Sequence, residues 1–278
     1  MCTGRLLSCR DIVVLMFSSF FRKSRRSTLD LEKVQAVFFD LDGTLIDVDM
    51  NQFVPSYLHR LTEQMGDRVN PVRVTRVMHQ AVAAMFANTD ATRTLENILL
   101  DALQDSVSIT SEQYAEYLEL FCENDLEALR PLVKGHSLSP CLVESCLARG
   151  WQVVLATNPI FPRPVIDARI TWGQLEEKAF HHVTSYETAH FCKPNPAFFE
   201  EILAHLQVPA GACLMVGNDT LHDLSASQVG MQTCLLTPWS IKRPGVQFKA
   251  DWQGRHDELL ALIAPESSAL ASWSSRPD

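Results

Sequence analysis

The chain has 278 residues, 46% hydrophobic and 21% charged, with a formal net charge of −9. That length accommodates one full domain plus a smaller second one, and the apolar fraction excludes global disorder. The acidic balance excludes general nucleic-acid binding, which needs a basic face, but still permits a small anionic ligand held beside a local cation.

In chain order, the first feature is an apolar run, Ile12 to Phe21, followed by Arg22, Lys23, Arg25 and Arg26. It is too short to span a bilayer, and its charges follow the apolar run rather than precede it, unlike a secretory signal. Residues 1–30 therefore read as a tail outside the fold, with a weak membrane-surface anchor as the minor alternative and no stable membrane insertion. Residues 265–278, rich in serine, read as a second tail. The eight cysteines are scattered, with no C-x-x-C pair and no zinc-type spacing. They are expected to be buried small hydrophobes or free thiols, which fits a reducing, cytoplasmic setting.

Val34 to Phe39 is apolar at nearly every position, the pattern of a parallel strand covered on both faces. It ends in Asp40, Asp42, Gly43 and Thr44. If the strand stays extended through Asp42, the two carboxylates share one side of it. Two acids at a strand tip repel one another and lose hydration, and a hard cation such as magnesium would resolve that conflict.

From residue 48 to 132 the apolar period is helical. Four helices are expected: Asn51 to Met65; one starting at Asn70-Pro71; Thr92 to Leu103; and one opened by a Thr110–Gln113 capping box. Strands and helices then alternate. A helix from Ser139 to Gly150 precedes a strand from Trp151 to Thr157. Next come a helix from Val165 to Lys178 and a strand from Phe180 to Thr184. After these follow a helix from Pro196 to Leu206, a strand from Cys213 to Gly217, a helix from Leu221 to Val229 and a strand from Met231 to Leu236. Such alternation predicts an α/β fold with a Rossmann-like parallel sheet, helices on both faces, and an all-α insertion. The expected division is 31–47 with 133–264 as the α/β core, and 48–132 as a helical cap.

Four short patterns fall at or beside strand ends. Asp40-Leu41-Asp42-Gly43-Thr44-Leu45-Ile46-Asp47 follows the first strand. Thr157 and Asn158, ahead of Pro159, could donate to phosphate oxygens. Lys193-Pro194-Asn195-Pro196 leads into a helix. Met215-Val216-Gly217-Asn218-Asp219 runs on through His222 to Asp223. In this order they resemble the four motifs of the haloacid dehalogenase-like (HAD) phosphohydrolases, whose helical C1-type caps sit where residues 48–132 lie.

The resemblance implies a magnesium-dependent phosphomonoester hydrolase acting on a small phosphorylated substrate. Asp40 would be the nucleophile and a metal ligand. Asp42 would bind the metal through its carbonyl and act as general acid and base. Thr157, Asn158 and Lys193 would cradle the phosphoryl group, Lys193 also offsetting the charge of Asp40. The fourth motif departs from the common form, with Asn218 where an acid usually stands. Either Asp219 takes the metal with Asp223 in support, the preferred alignment, or Asn218 occupies the ligand position. His222 reads as a surface or supporting residue, because magnesium prefers oxygen. Asp42 argues against dehalogenation, since a leaving halide needs no proton, and the expected cap helices offer no lysine for phosphonate chemistry. A phosphomutase or a non-catalytic phosphate-binding protein remain the alternatives.

Overall fold

The computed structural model describes residues 28–66 and 69–264; residues 1–27 of the expected N-terminal tail and the whole expected C-terminal tail lie outside this range. At its centre is strand β1 (Ala36–Phe39), paired in parallel with β4 (Gln152–Leu155) on one side and β6 (Cys213–Gly217) on the other. Beyond these lie β5 (His182–Val183), β7 (Gln232–Leu236) and β8 (Trp252–Gly254), giving the all-parallel order β5-β4-β1-β6-β7-β8. This is an α/β core with a six-stranded parallel sheet, as the alternating pattern predicts.

The two-residue period of β1 explains why every position is apolar. Val37 and Phe39 point into one core, while Ala36 and Phe38 point into another that holds Phe198, Phe199 and Ile202 of helix α7 (Pro196–Leu206). Both phenylalanines of β1 are fully buried, each worth about 1.5–3 kcal/mol of hydrophobic stabilisation.

Between β1 and β4 the chain leaves the sheet through β2 (Ile46–Val48), builds α1 (Met50–Gln64), α2 (Pro71–Ala87), α3 (Leu95–Val107) and α4 (Ser111–Asn124), and returns through β3 (Val133–Gly135). The helix starts follow their caps. Asp49 and Asn70 accept from backbone N–H groups of α1 and α2, and Thr94 and Thr110 form reciprocal capping boxes with Asn97 and Gln113. The third helix thus begins at Leu95 rather than Thr92, because Thr94 serves as its cap.

Strands β2 and β3 pair antiparallel, a contact that no sequence pattern announces. Three-residue strands carry too short a pattern to register, yet they tie the two crossings into one narrow ribbon. The insertion is also seated directly on the loops that follow β4 and β5. Phe53 and Tyr57 meet Phe161 edge-on at 5.8 and 5.3 Å, and the Leu95 N–H donates to the Ala189 carbonyl at 2.9 Å.

Three expectations need correction. The helix read as Val165 to Lys178 is α6 (Arg163–Trp172) and stops at Gly173. A side chain at Gly173 would meet Ile46 Cγ2 at 2.5 Å, so the helix end packs too closely on β2 for any other residue. The segment Leu221 to Val229 is a turn followed by a 3-10 helix, Leu224–Val229. The backbone N–H groups of Leu221 and His222 are claimed by Asp219 Oδ1 instead of a helical carbonyl. Finally, Cys141 is disulfide-bonded, whereas Cys122, Cys146, Cys192, Cys213 and Cys234 are free thiols. Spacing along a chain does not reveal which sulfurs meet in space. Helices α5 (Ser139–Ala148) and α8 (His256–Ile263) complete the layers, and β8 and α8 also escaped the sequence reading.

Candidate active site

The carboxyl ends of β1, β4 and β6 open onto one cleft of about 460 Å³ beneath the helical insertion. Asp40, Asp42, Thr157, Asn158, Lys193, Asn218, Asp219, His222 and Asp223 all line it. Every site residue expected from the sequence is therefore brought to one place, as the end of a parallel sheet requires.

Strand β1 ends at Phe39, so the extended geometry expected through Asp42 is not formed. The N–H groups of Thr44, Leu45 and Ile46 all turn back to the Leu41 carbonyl, at 3.2, 2.9 and 3.1 Å. This tight loop still delivers both acids to the cleft. Gly43 sits at φ +76°, and a Cβ there would lie 2.2 Å from Asn218 Nδ2. Glycine is required on both counts.

Lys193 reaches the cleft from the segment before α7, and its side chain is 1% exposed. Its ammonium donates to Asp40 Oδ1 at 2.8 Å and to Asp223 Oδ1 at 2.7 Å. The other oxygen of Asp223 accepts from the N–H groups of Asn218 and Asp219, at 2.9 and 2.8 Å. Asp223 thus supports both the lysine and the loop after β6. Burial favours the neutral amine, but Asp223 and Asp40 outweigh it and raise the lysine's pKa.

Asp40 is pushed up to about 7, chiefly by burial, against the opposing pull of Lys193 and with Asp223 and Asp42 adding repulsion. Six carboxylates, Asp40, Asp42, Asp47, Asp49, Asp219 and Asp223, line a cleft whose lysine and arginine among the described residues are only Lys193 and Arg243. A hard divalent cation among oxygen donors fits that imbalance.

Asp219 and Asn218 divide the remaining work differently from the simple alignments. Asp219 Oδ1 accepts from two backbone N–H groups, and Oδ2 is held by Arg243 Nη2 and Nε at 2.7 and 2.9 Å. Burial would raise the carboxyl of Asp219, but these donors prevail and lower it. Asn218 donates through Nδ2 to the Trp239 carbonyl at 2.8 Å. Asn158 is committed too: its Oδ1 accepts from the Lys193 N–H at 2.9 Å, and its Nδ2 lies 3.4 Å from His222 Nδ1.

Two residues that shape the site went unrecognised in the sequence. Arg243 comes from the loop after β7, where no pattern marks it. Arg169 of α6 did leave a signal: it shares the buried stripe of Val165, Ile166 and Ile170, and a cation on a core face needs a partner. That partner is Asp42, whose two oxygens accept from Arg169 Nη1 at 2.8 and 2.9 Å.

The family model for haloacid dehalogenase-like hydrolases matches residues 34–229, spanning β1, the insertion and the loop after β6. This chain is a haloacid dehalogenase-like hydrolase. Among curated members, pyrophosphatase PpaX of Bacillus cereus strain Q1 is 25% identical over 236 residues, covering 84% of this chain and 97% of that one. PpaX of Bacillus mycoides strain KBAB4 is 23% identical over 210 residues, covering 76% and 86%. The HAD fold is shared with a 2-haloacid dehalogenase from Pseudomonas syringae pv. Tomato DC3000, at a TM-score of 0.55 and 21% identity over 86% of this chain and 99% of that one. It is shared as well with a predicted phosphoglycolate phosphatase from Haemophilus somnus 129pt, at a TM-score of 0.50 and 18% identity over 83% and 98%. Among the described residues no helix of this HAD hydrolase is long and apolar enough to cross a membrane.

Proposed function

We propose that this HAD hydrolase is a magnesium-dependent phosphomonoesterase that acts on a small phosphorylated metabolite through an aspartyl-phosphate on Asp40. The observation that supports this most directly is the Lys193 ammonium shared between Asp40 and Asp223 at the sheet's carboxyl edge. It is a fixed cation placed where a phosphoryl group would meet a buried carboxylate.

Asp40 Oδ1 is taken by Lys193, while among the described residues Oδ2 has only a long 3.4 Å approach from Thr44 Oγ1. Oδ2 is the oxygen suited to attack phosphorus. The new P–O bond forms as the bond to the leaving oxygen breaks, and Asp42 delivers a proton to that oxygen. Asp42 then takes a proton from water, which attacks the same phosphorus. The acyl-phosphate bond breaks, orthophosphate leaves and the Asp40 carboxylate is restored. Thr157, Asn158 and Lys193 orient the phosphoryl oxygens throughout. Asp40, the Asp42 carbonyl and Asp219, with Asn218 as the alternative donor, would hold magnesium, which supplies charge neutralisation for the transferring group. The helical insertion, tethered by the β2–β3 ribbon, covers the cleft and limits access of water.

The names of the PpaX relatives make pyrophosphate a competing phosphorylated substrate, with phosphate itself as the leaving group. The test of the proposal is turnover of a chromogenic aryl phosphate by the purified chain. Activity should require magnesium and disappear in Asp40→Asn. Turnover that survives that substitution would falsify the nucleophile assignment.

A further inference from the structure

The cleft is charged at its floor and apolar at its mouth. Among the described residues only four large hydrophobic side chains are solvent-exposed, and two of them, Phe86 at 36% and Ile241 at 43%, stand at this cleft. Phe86 lies parallel to the His222 ring, 5.9 Å away, and makes an aromatic shelf on the insertion side. Met50, Val54, Ile160 and Phe161 continue that surface inward. Val54, Ile160 and Phe161 also wall a second cavity of about 120 Å³, which extends toward Met78, Val82 and Leu99 between the helices. The path from the cleft toward this cavity is thus largely apolar, with Tyr57, His79 and Tyr186 as the polar-tipped side chains of the cavity wall.

Charge on that path is as telling as its surface. Among the described residues the insertion contributes Val48, Asp49, Met50, Asn51, Val54 and Phe86 to the cleft, and no cation. The two cations present belong to the core: Lys193 is held between Asp40 and Asp223, and Arg243 is held on Asp219. A leaving group that carried a second phosphate or a carboxylate would meet apolar walls and the acids Asp47 and Asp49 at the cleft. Moving an anion into such surroundings without a partner is unfavourable. Burial of an uncharged hydrocarbon body there is favourable.

We infer that the leaving group of the substrate is an uncharged, largely apolar alcohol or phenol, seated on Phe86 and directed toward the Val54–Phe161 wall. This rests on the phosphomonoesterase reading above and narrows it. It sets the chain apart from hydrolysis of substrates whose leaving group is itself an anion.

The experiment compares heptyl phosphate with its ω-carboxylated analogue, whose leaving alcohols have nearly equal basicity, and adds inorganic pyrophosphate. All are assayed with the full chain and magnesium. Heptyl phosphate should be favoured in kcat/KM by about tenfold or more over the carboxylated ester. In Phe86→Lys, which alters an exposed side chain at the end of α2, the ratio should narrow severalfold through a gain on the carboxylated ester. A ratio at or below one, or pyrophosphate surpassing both esters, overturns this inference and leaves a hydrolase with a different substrate. Absence of turnover on all three, and on an aryl phosphate, overturns the phosphomonoesterase reading and this inference with it.

Discussion

Arg169 Nη1 grips both carboxylate oxygens of Asp42, at 2.8 and 2.9 Å, from a side chain with no exposed surface. Among the described residues its Nε and Nη2 have no hydrogen-bond partner, and its guanidinium rests against Phe161 and Phe53, 4.7 and 5.4 Å from the ring centroids. A buried cation with one ionic partner is bound closely to that partner's position. Arg169 therefore fixes the position of Asp42, the general acid of the proposed mechanism.

Replacing Arg169 should discriminate between leaving groups. In Arg169→Met, kcat/KM for an alkyl phosphate should fall about 100-fold, the scale of lost general-acid catalysis. For dinitrophenyl phosphate, whose leaving group needs no proton, the fall should stay within about threefold. Arg169→Lys should recover part of the alkyl activity. Equal losses on both esters would show that the arginine merely supports the fold.

The fourth motif can be resolved by magnesium titration followed calorimetrically. With Asp219 as the metal ligand, Asp219→Asn should weaken magnesium binding by at least tenfold, while Asn218→Asp changes it little. Arg243→Ala, which releases Asp219 Oδ2, should tighten it. The reverse pattern for the first two variants would assign the ligand to Asn218.

Gly217 is packed against the support of the whole site. A Cβ there would lie 2.2 Å from Asp223 Cγ and Oδ2. Gly217→Ala should displace Asp223 from Lys193 and from the N–H groups of Asn218 and Asp219. Overpacking of this kind costs roughly 1–3 kcal/mol. The expected result is a lower urea midpoint together with at least tenfold lower turnover. A variant with wild-type values in both would contradict the tight packing.

Acid sensitivity should arise behind the first motif. His256 Nε2 lies 2.7 Å from the Thr44 carbonyl, and His136 stacks on His256 at 3.8 Å. Burial and then the neighbouring His256 lower His136 from 6.5 to about 4. Burial lowers His256 as well. On acidification the unfolded chain takes up protons that the fold resists, so stability is complete above the unfolded pKa near 6.5 and declines toward 4. His136 is only half-buried, so its share is on the order of 1 kcal/mol after solvent screening. Urea midpoints at mildly alkaline pH and at pH near 5 should draw closer together in His136→Phe than in wild type. An unchanged gap would place the sensitivity elsewhere.

The sequence by itself determined the layers and the neighbourhood of the site. Continuous apolar runs such as Val34 to Phe39 belong to strands buried on both faces, and parallel strands deliver whatever follows them to one sheet edge. Asp40, Thr157, Lys193 and Asp219 could be grouped because each stands close to a strand end or a proline-marked helix start. Caps at Asn70 and Thr110 set helix starts because such bonds are local.

Only the tertiary structure decided the pairings. Arg169 and Asp42 are separated by 127 positions, and Arg243 and Asp219 by 24. No local period records which cation meets which acid. The β2–β3 ribbon was invisible for the same reason. Short-range rules of backbone and patterning act within a few residues, whereas charge partners, apolar walls and sulfur pairs are fixed when distant segments pack.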